Sequence, residues 1–175
     1  MDKSGTGLRE SLRLLYRNYG GWRSLVQSEY FWLALVLSAA CWRIGVDEKW
    51  ADLAKSILPT LAGFSIAAYA IFFAVLDERA RNALRAPAEE LGNRSPLLIL
   101  ASSISHAVFI QILALITAIV FPAKPFPHIP CFGKLNGIFN LLVSFAGLFL
   151  TVYGIVLVLA AVLSIFRILE IRTRL

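Results

Sequence analysis

Acidic residues are scarce in this chain. Eleven Asp and Glu stand against 17 Lys and Arg in 175 residues, and none of the eleven falls inside its apolar blocks. Buried carboxylates are the working groups of proton- and cation-coupled transporters, so coupled transport is not expected. The chain has two histidines, His106 and His128, and two cysteines, Cys41 and Cys131. That is too few for a disulfide scaffold or for zinc-ligand spacing, and His128 with Cys131 would need ligands from elsewhere. There is no Walker loop, no GxSxG and no intramembrane pair of carboxylates. There is no inverted repeat of the transporter kind. An enzyme is not expected, and neither is a metal or a cofactor.

What the chain has in excess is apolar sequence. It is 58% hydrophobic with a mean hydropathy of +0.72, where soluble domains average about 45–50%. The excess sits in blocks at 30–46, 57–76, 96–121 and 137–166, which is the membrane pattern. The expected fold is an all-α membrane protein: four transmembrane helices plus an N-terminal amphipathic helix. Residues 1–29 form a cytoplasmic or interfacial segment, and 30–175 the transmembrane domain. A cytoplasmic helical extension covers 77–95 and a basic tail covers 167–175. With 1–29 ahead of it, the first block reads as a retained signal anchor rather than a cleaved leader.

Charge sets the expected orientation. Lys3, Arg9, Arg13, Arg17 and Arg23 lie in the N-terminal segment, Arg79, Arg81, Arg85 and Arg94 in the second connection, and Arg167, Arg172 and Arg174 in the tail. Arg43, Lys49, Lys55, Lys124 and Lys134 lie on the other side. The positive-inside rule then puts both termini in the cytoplasm, in the cell inner (plasma) membrane. Cys41 and Cys131 both fall toward the outer side. A disulfide between them is permitted there, and two small thiols in apolar surroundings are the plainer alternative.

Residues 7–19, GLRESLRLLYRNY, read as an amphipathic helix ended by Gly20-Gly21. Its apolar face is Leu8, Leu12, Leu15 and Tyr19. Arg9, Arg13 and Arg17 recur every fourth residue as a basic ridge. Three roles fit the ridge: binding anionic lipid headgroups, facing a vestibule in an oligomer to bind an acidic ligand, or plain solvation. Trp22, Trp32 and Trp50 read as interfacial anchors, with Trp42 and Arg43 at the outer edge of the first span.

The stretch 57–85, ILPTLAGFSIAAYAIFFAVLDERARNALR, has no Gly or Pro after Gly63. It reads as one helix running from membrane into cytoplasm. Gly63, Ala67, Ala70 and Ala74 make a small-residue face for close helix packing, and Arg81 and Arg85 lie on the charged end. In the third span Ser102 and His106 share a face, with Gln111 deeper. An ionisable group there is a functional, gating candidate, or a neutral His bonded to a serine or a backbone carbonyl. The fourth block carries a stripe of Asn136, Asn140, Ser144, Gly147, Thr151 and Gly154, which either packs between helices or lines water. At about 45 Å as a helix, that block must tilt or project past the bilayer. The outer loop at 122–137 is proline-rich and reads as a stiff cap.

The run LPTLAGFSIAAYAIFFAVLDERARNAL, with the short spans around it, resembles small four-span membrane proteins of bacterial anti-phage systems. The membrane effector of the Hailong system is the first candidate and the membrane subunit of Kiwa the second. The likeness covers one span and the general layout. It implies a homo-oligomeric ion channel, with a tetramer favoured, that acts in abortive infection. It also implies a partner nucleotidyltransferase whose nucleic-acid oligomers hold or gate the channel from the cytoplasm, which would give Arg9, Arg13 and Arg17 a ligand. The residues themselves leave a second function open: a non-conducting sensor or adaptor that recruits a cytoplasmic partner through its basic surfaces.

Overall fold

The computed structural model describes residues 7–88, 93–121 and 133–173. Among these the chain is almost entirely helical, and the only β pairing is an isolated bridge between Ala88 and Arg94. The helices are α1 (Leu8–Tyr19), α2 (Gly21–Val26), α3 (Glu29–Ala40), α4 (Trp42–Val46), α5 (Trp50–Val75), α6 (Glu78–Arg85), α7 (Pro96–Val120) and α8 (Gly133–Thr173).

Three helices are long and apolar enough to cross a membrane: α5, α7 and the Gly137–Phe166 part of α8. They pack on one another, with α3 and α4 laid along α8 and α1 along α7. The first apolar block differs from expectation. It is split at Cys41, where the backbone turns to φ −92°, ψ 22°, into twelve-residue α3 and five-residue α4. The outer surface of the bundle is apolar. Phe64, Ile71 and Leu142 are each about three-fifths exposed, at 59%, 63% and 63%. Lipid satisfies such a surface where water would not.

Three hydroxyls on the long helices are satisfied within their own turns. Ser65, Thr117 and Thr151 donate to the carbonyls of Leu61, Leu113 and Gly147 at 2.9, 2.8 and 2.8 Å. An apolar medium offers them no other acceptor.

The expected continuous helix over 57–85 is corrected at its C-terminal end. α5 begins earlier, at Trp50, and runs through Pro59, which is exposed. It stops at Val75, because Leu76 adopts an extended backbone with φ −69°, ψ 116°. The chain restarts as α6, with Arg81 N–H bonded to Asp77 O. Arg81 Nη2 then reaches back to Phe73 O and Leu76 O at 3.3 and 3.4 Å, placing a cation on the open carbonyls of α5. Ser95 ties the next corner. Its hydroxyl donates to Leu84 O at 2.9 Å and accepts from Leu98 N–H at 3.5 Å, with Pro96 opening α7. Cys41 carries a free thiol. Cys131, His128 and the proline-rich cap lie outside the described residues.

Candidate functional site

The polar stripe of α8 is filled by the same chain. Trp50, fully buried, donates its Nε1–H to Ser144 Oγ at 2.7 Å, and Ser144 Oγ donates to Gly45 O at 2.6 Å. Gly147 is the seat of the Trp50 ring: a Cβ there would overlap it. One turn on, Thr151 is buried and back-bonded to Gly147 O. At Gly154 the α7 helix comes close, with Gln111 Cγ 3.2 Å from where a Cβ would stand. Gln111 donates Nε2–H to Gly154 O at 3.0 Å, and its Oε1 is buried without a partner. Asn140 is exposed, and the side chain of Asn136 is not among those described. Trp50 was expected at an interface. Burial in a cluster with Ala114, Ala118 and Leu148 corrects that, because the seat opposite Gly147 takes its ring and Ser144 takes its N–H.

His106 sits under the amphipathic helix. It is 1% exposed, and its Nε2 lies 3.3 Å from Tyr153 Oη on α8. Tyr153 shares a second side-chain hydrogen bond with Tyr19 of α1. The Tyr16 and Tyr19 rings stand 5.7 and 4.6 Å from the imidazole. His106 Nδ1 is buried with no hydrogen-bond partner. Neither a serine nor a backbone carbonyl takes the imidazole. Ser102, buried on the same face, turns its hydroxyl to Ile99 O at 2.9 Å. Burial raises the phenol pKa of Tyr16 and Tyr19 above the ordinary tyrosine value. With its rings turned inward, α1 leaves Arg9, Arg13 and Arg17 exposed.

The small-residue face of α5 behaves oppositely to the α8 stripe. Gly63, Ala67, Ala70 and Ala74 are all exposed, and a Cβ on Gly63 would meet nothing within 4 Å. Arg85 is exposed, whereas Arg81 is half-buried in its cap on α5.

The structure thus brings together Ser144, Gly147, Thr151 and Gly154 with Trp50 and Gln111. It separately gathers His106 with three tyrosines. It does not join Ser102 to His106, nor the α5 face to any other helix. Sequence reading missed Trp50, Gly45 and Tyr153 as members of these clusters. Tyr153 carried a signal, since a phenol in the middle of a thirty-residue apolar block needs a partner. Gly45 carried none, because it acts through its carbonyl.

The arrangement is one of packing and hydrogen bonding. The recorded partner of His106 is a phenol, not a serine or thiol it could activate. Among the described residues no group of three His, Cys, Asp or Glu side chains is placed to hold a metal. No protein-family model matches the chain, and neither a curated protein nor a solved structure is significantly similar to it.

Proposed function

We propose that the protein is an oligomeric membrane channel whose conducting path lies between copies and is gated from the cytoplasmic side. In this reading α3 with α4 makes a fourth crossing beside α5, α7 and α8. Both termini face the cytoplasm, in the inner membrane.

One observation carries the proposal: the depth at which the basic ridge lies. His106, which contacts Tyr16 and Tyr19, is ten residues into α7, about 15 Å along its axis. Leu15 shares a cavity with Ile66 of α5 and with α7 residues from Ile104 to Ile112, to either side of His106. Arg13 and Arg17, two residues either side of Leu15, are exposed. An arginine facing lipid near the bilayer centre costs about 2.5–3.5 kcal/mol on insertion scales. A water-filled space between copies removes that cost, since polar groups at membrane depth are tolerated where they line a cavity. Within one chain there is no competing path along the α8 stripe, because Trp50 and Gln111 occupy it. The small-residue face of α5 is the surface free for close approach of a second copy.

Recording from planar bilayers that contain the purified protein tests this. Unitary current steps are expected, with a conductance altered when Arg9, Arg13 and Arg17 are all changed to Gln. Silent bilayers, together with a monomer in lipid nanodiscs, would sink the idea.

The exposure of the same ridge favours one other reading, a non-conducting adaptor that docks an acidic cytoplasmic partner. A pull-down that fails with the Arg-to-Glu triple variant, from a protein that passes no current, would select it. A role in anti-phage defence rests on the resemblance alone. Plating efficiency of phage on cells with and without the intact locus tests it.

A further inference from the structure

A second polar feature lies apart from the ridge and the stripe. A cavity of about 280 Å³ opens where α1 turns into α2 and α3, against α7 and α8. Six hydroxyls line it, those of Tyr19, Ser24, Ser28, Tyr30, Ser103 and Ser164. No carboxylate is among its described lining residues, and its remaining wall is Leu157, Ala160 and Ala161.

The hydroxyls divide into two sets. Ser24 donates to Gly20 O at 2.9 Å, Ser164 donates to Ala160 O at 2.8 Å, and Tyr19 is engaged with Tyr153. Ser28, Tyr30 and Ser103 make no side-chain hydrogen bond among the described residues, although each is half-buried. Partly buried hydroxyls in a folded chain normally find a partner. Ser28 is the N-cap of α3, yet its side chain caps nothing. Its backbone carbonyl accepts from the Phe31 and Trp32 N–H groups, while its hydroxyl takes neither of the two N–H groups ahead of them, which lie at the positive end of the helix dipole. A cation stands near Ser24. Arg94 Nη1 lies 3.4 Å from where a Cβ on Gly20 would be, and Ser24 Oγ crowds the same point. The nearest acid in sequence, Glu29, is exposed and does not line the cavity. The described lining thus offers free hydroxyl donors and no carboxylate, with Arg94 the charge nearest to Ser24.

We propose that this cavity binds a phosphate ester. The phosphoryl oxygens accept from the hydroxyls of Ser28, Tyr30 and Ser103, Arg94 balances the charge, and Leu157 and Ala160 wall the carbon side. A phospholipid headgroup and a soluble phosphate monoester offer this same chemistry. Trp32, half exposed on the first turn of α3 with its Nε1–H on Val26 O at 2.8 Å, has the character of an interfacial anchor. The site does not depend on whether the protein conducts.

The test uses the full chain in lipid nanodiscs, with two probes. Native mass spectrometry counts retained phosphatidylglycerol against phosphatidylcholine, and thermal unfolding is followed as sn-glycerol 3-phosphate is added. The expected result is one phosphatidylglycerol retained per chain, at least tenfold preferred over phosphatidylcholine. The combined variant Ser28→Ala, Tyr30→Phe, Ser103→Ala is expected to lose that retention about tenfold or more, as hydrogen bonds to a charged group are removed. Arg94→Gln is expected to keep lipid but lose the preference for the anionic one. A saturable melting shift by glycerol 3-phosphate without lipid retention supports the site and assigns it a soluble ligand. Binding of neither probe overturns the proposal. So does wild-type retention by the combined variant when its circular dichroism is native. If the combined variant does not fold, Ser103→Ala and Tyr30→Phe singly decide, and unchanged binding in both counts against the site.

Discussion

A methyl group on Gly147 and a methyl group on Gly63 are the same change in two environments. At Gly147 it overlaps the Trp50 ring, which must leave its seat and take with it the 2.7 Å bond to Ser144. Gly147→Ala is therefore expected to destabilise the protein by about 1–3 kcal/mol, more than the roughly 1 kcal/mol that helix propensity returns. Gly63→Ala meets open space and is expected to be neutral or slightly stabilising. Unfolding in mixed micelles measures both, and equal effects would remove the assigned role of Gly147. At His106, Tyr153→Phe takes away the hydroxyl at 3.3 Å and leaves both ring nitrogens bare. The expected cost is about 1–3 kcal/mol, with faster amide exchange in α1. Part of this residue-scale pattern was legible. The steps of three and four between Asn140, Ser144, Gly147 and Thr151 mark one face of one helix, and that face is where α8 meets α5 and α7 at Ser144 and beyond. What filled it was not legible. Trp50 is 94 residues from Ser144, and a tryptophan beside a loop looks the same in sequence whether it faces headgroups or a glycine.

The amphipathic helix and its stop were written in local spacing and in Gly20, which ends α1 with φ 113° and donates its N–H to Tyr16 O. The break between α5 and α6 was not. No Gly or Pro marks Leu76, where the backbone turns extended and Arg81 reaches back to the last carbonyls. Arg81→Ala should free α6 while leaving α5 intact, at a cost of about 1 kcal/mol. Hydrogen exchange would then quicken in Glu78–Arg85 and not in Trp50–Val75. Docking of α1 carries its own pH signature. Burial makes Tyr16 and Tyr19 hold their protons longer when docked than when free. Their contribution is complete below the free tyrosine value of about 10 and lost as pH rises through the higher docked value. Proteolytic access to α1 should thus be flat from neutral pH to about 10 and increase above it. An increase below pH 8 would contradict the assignment.

For the whole molecule, apolar blocks announced a helical membrane protein, and three of them became helices long enough to cross. The 30–46 block did not become a single helix, because it breaks at Cys41. If copies meet on the α5 face, Ala67→Cys in a background lacking Cys41 and Cys131 should form a disulfide-linked dimer on mild oxidation in membranes. Ile112→Cys, exposed on α7, should not, and equal cross-linking at both would point to random collision. The unequal heights of the helices have one more consequence. The first and last charges on α3 and α4, Glu29 and Arg43, are 14 residues apart, about 21 Å of helix. α7 runs 25 residues without a charge, about 37 Å, and a bilayer core is about 30 Å thick. If α3 with α4 makes the fourth crossing proposed above, lipid beside it must compress while lipid beside α7 must stretch, which would build elastic strain into the surrounding membrane. Short-chain lipids would then gather on one flank and long-chain lipids on the other. Any motion that changed the tilt of α3 would feel acyl-chain length as a force.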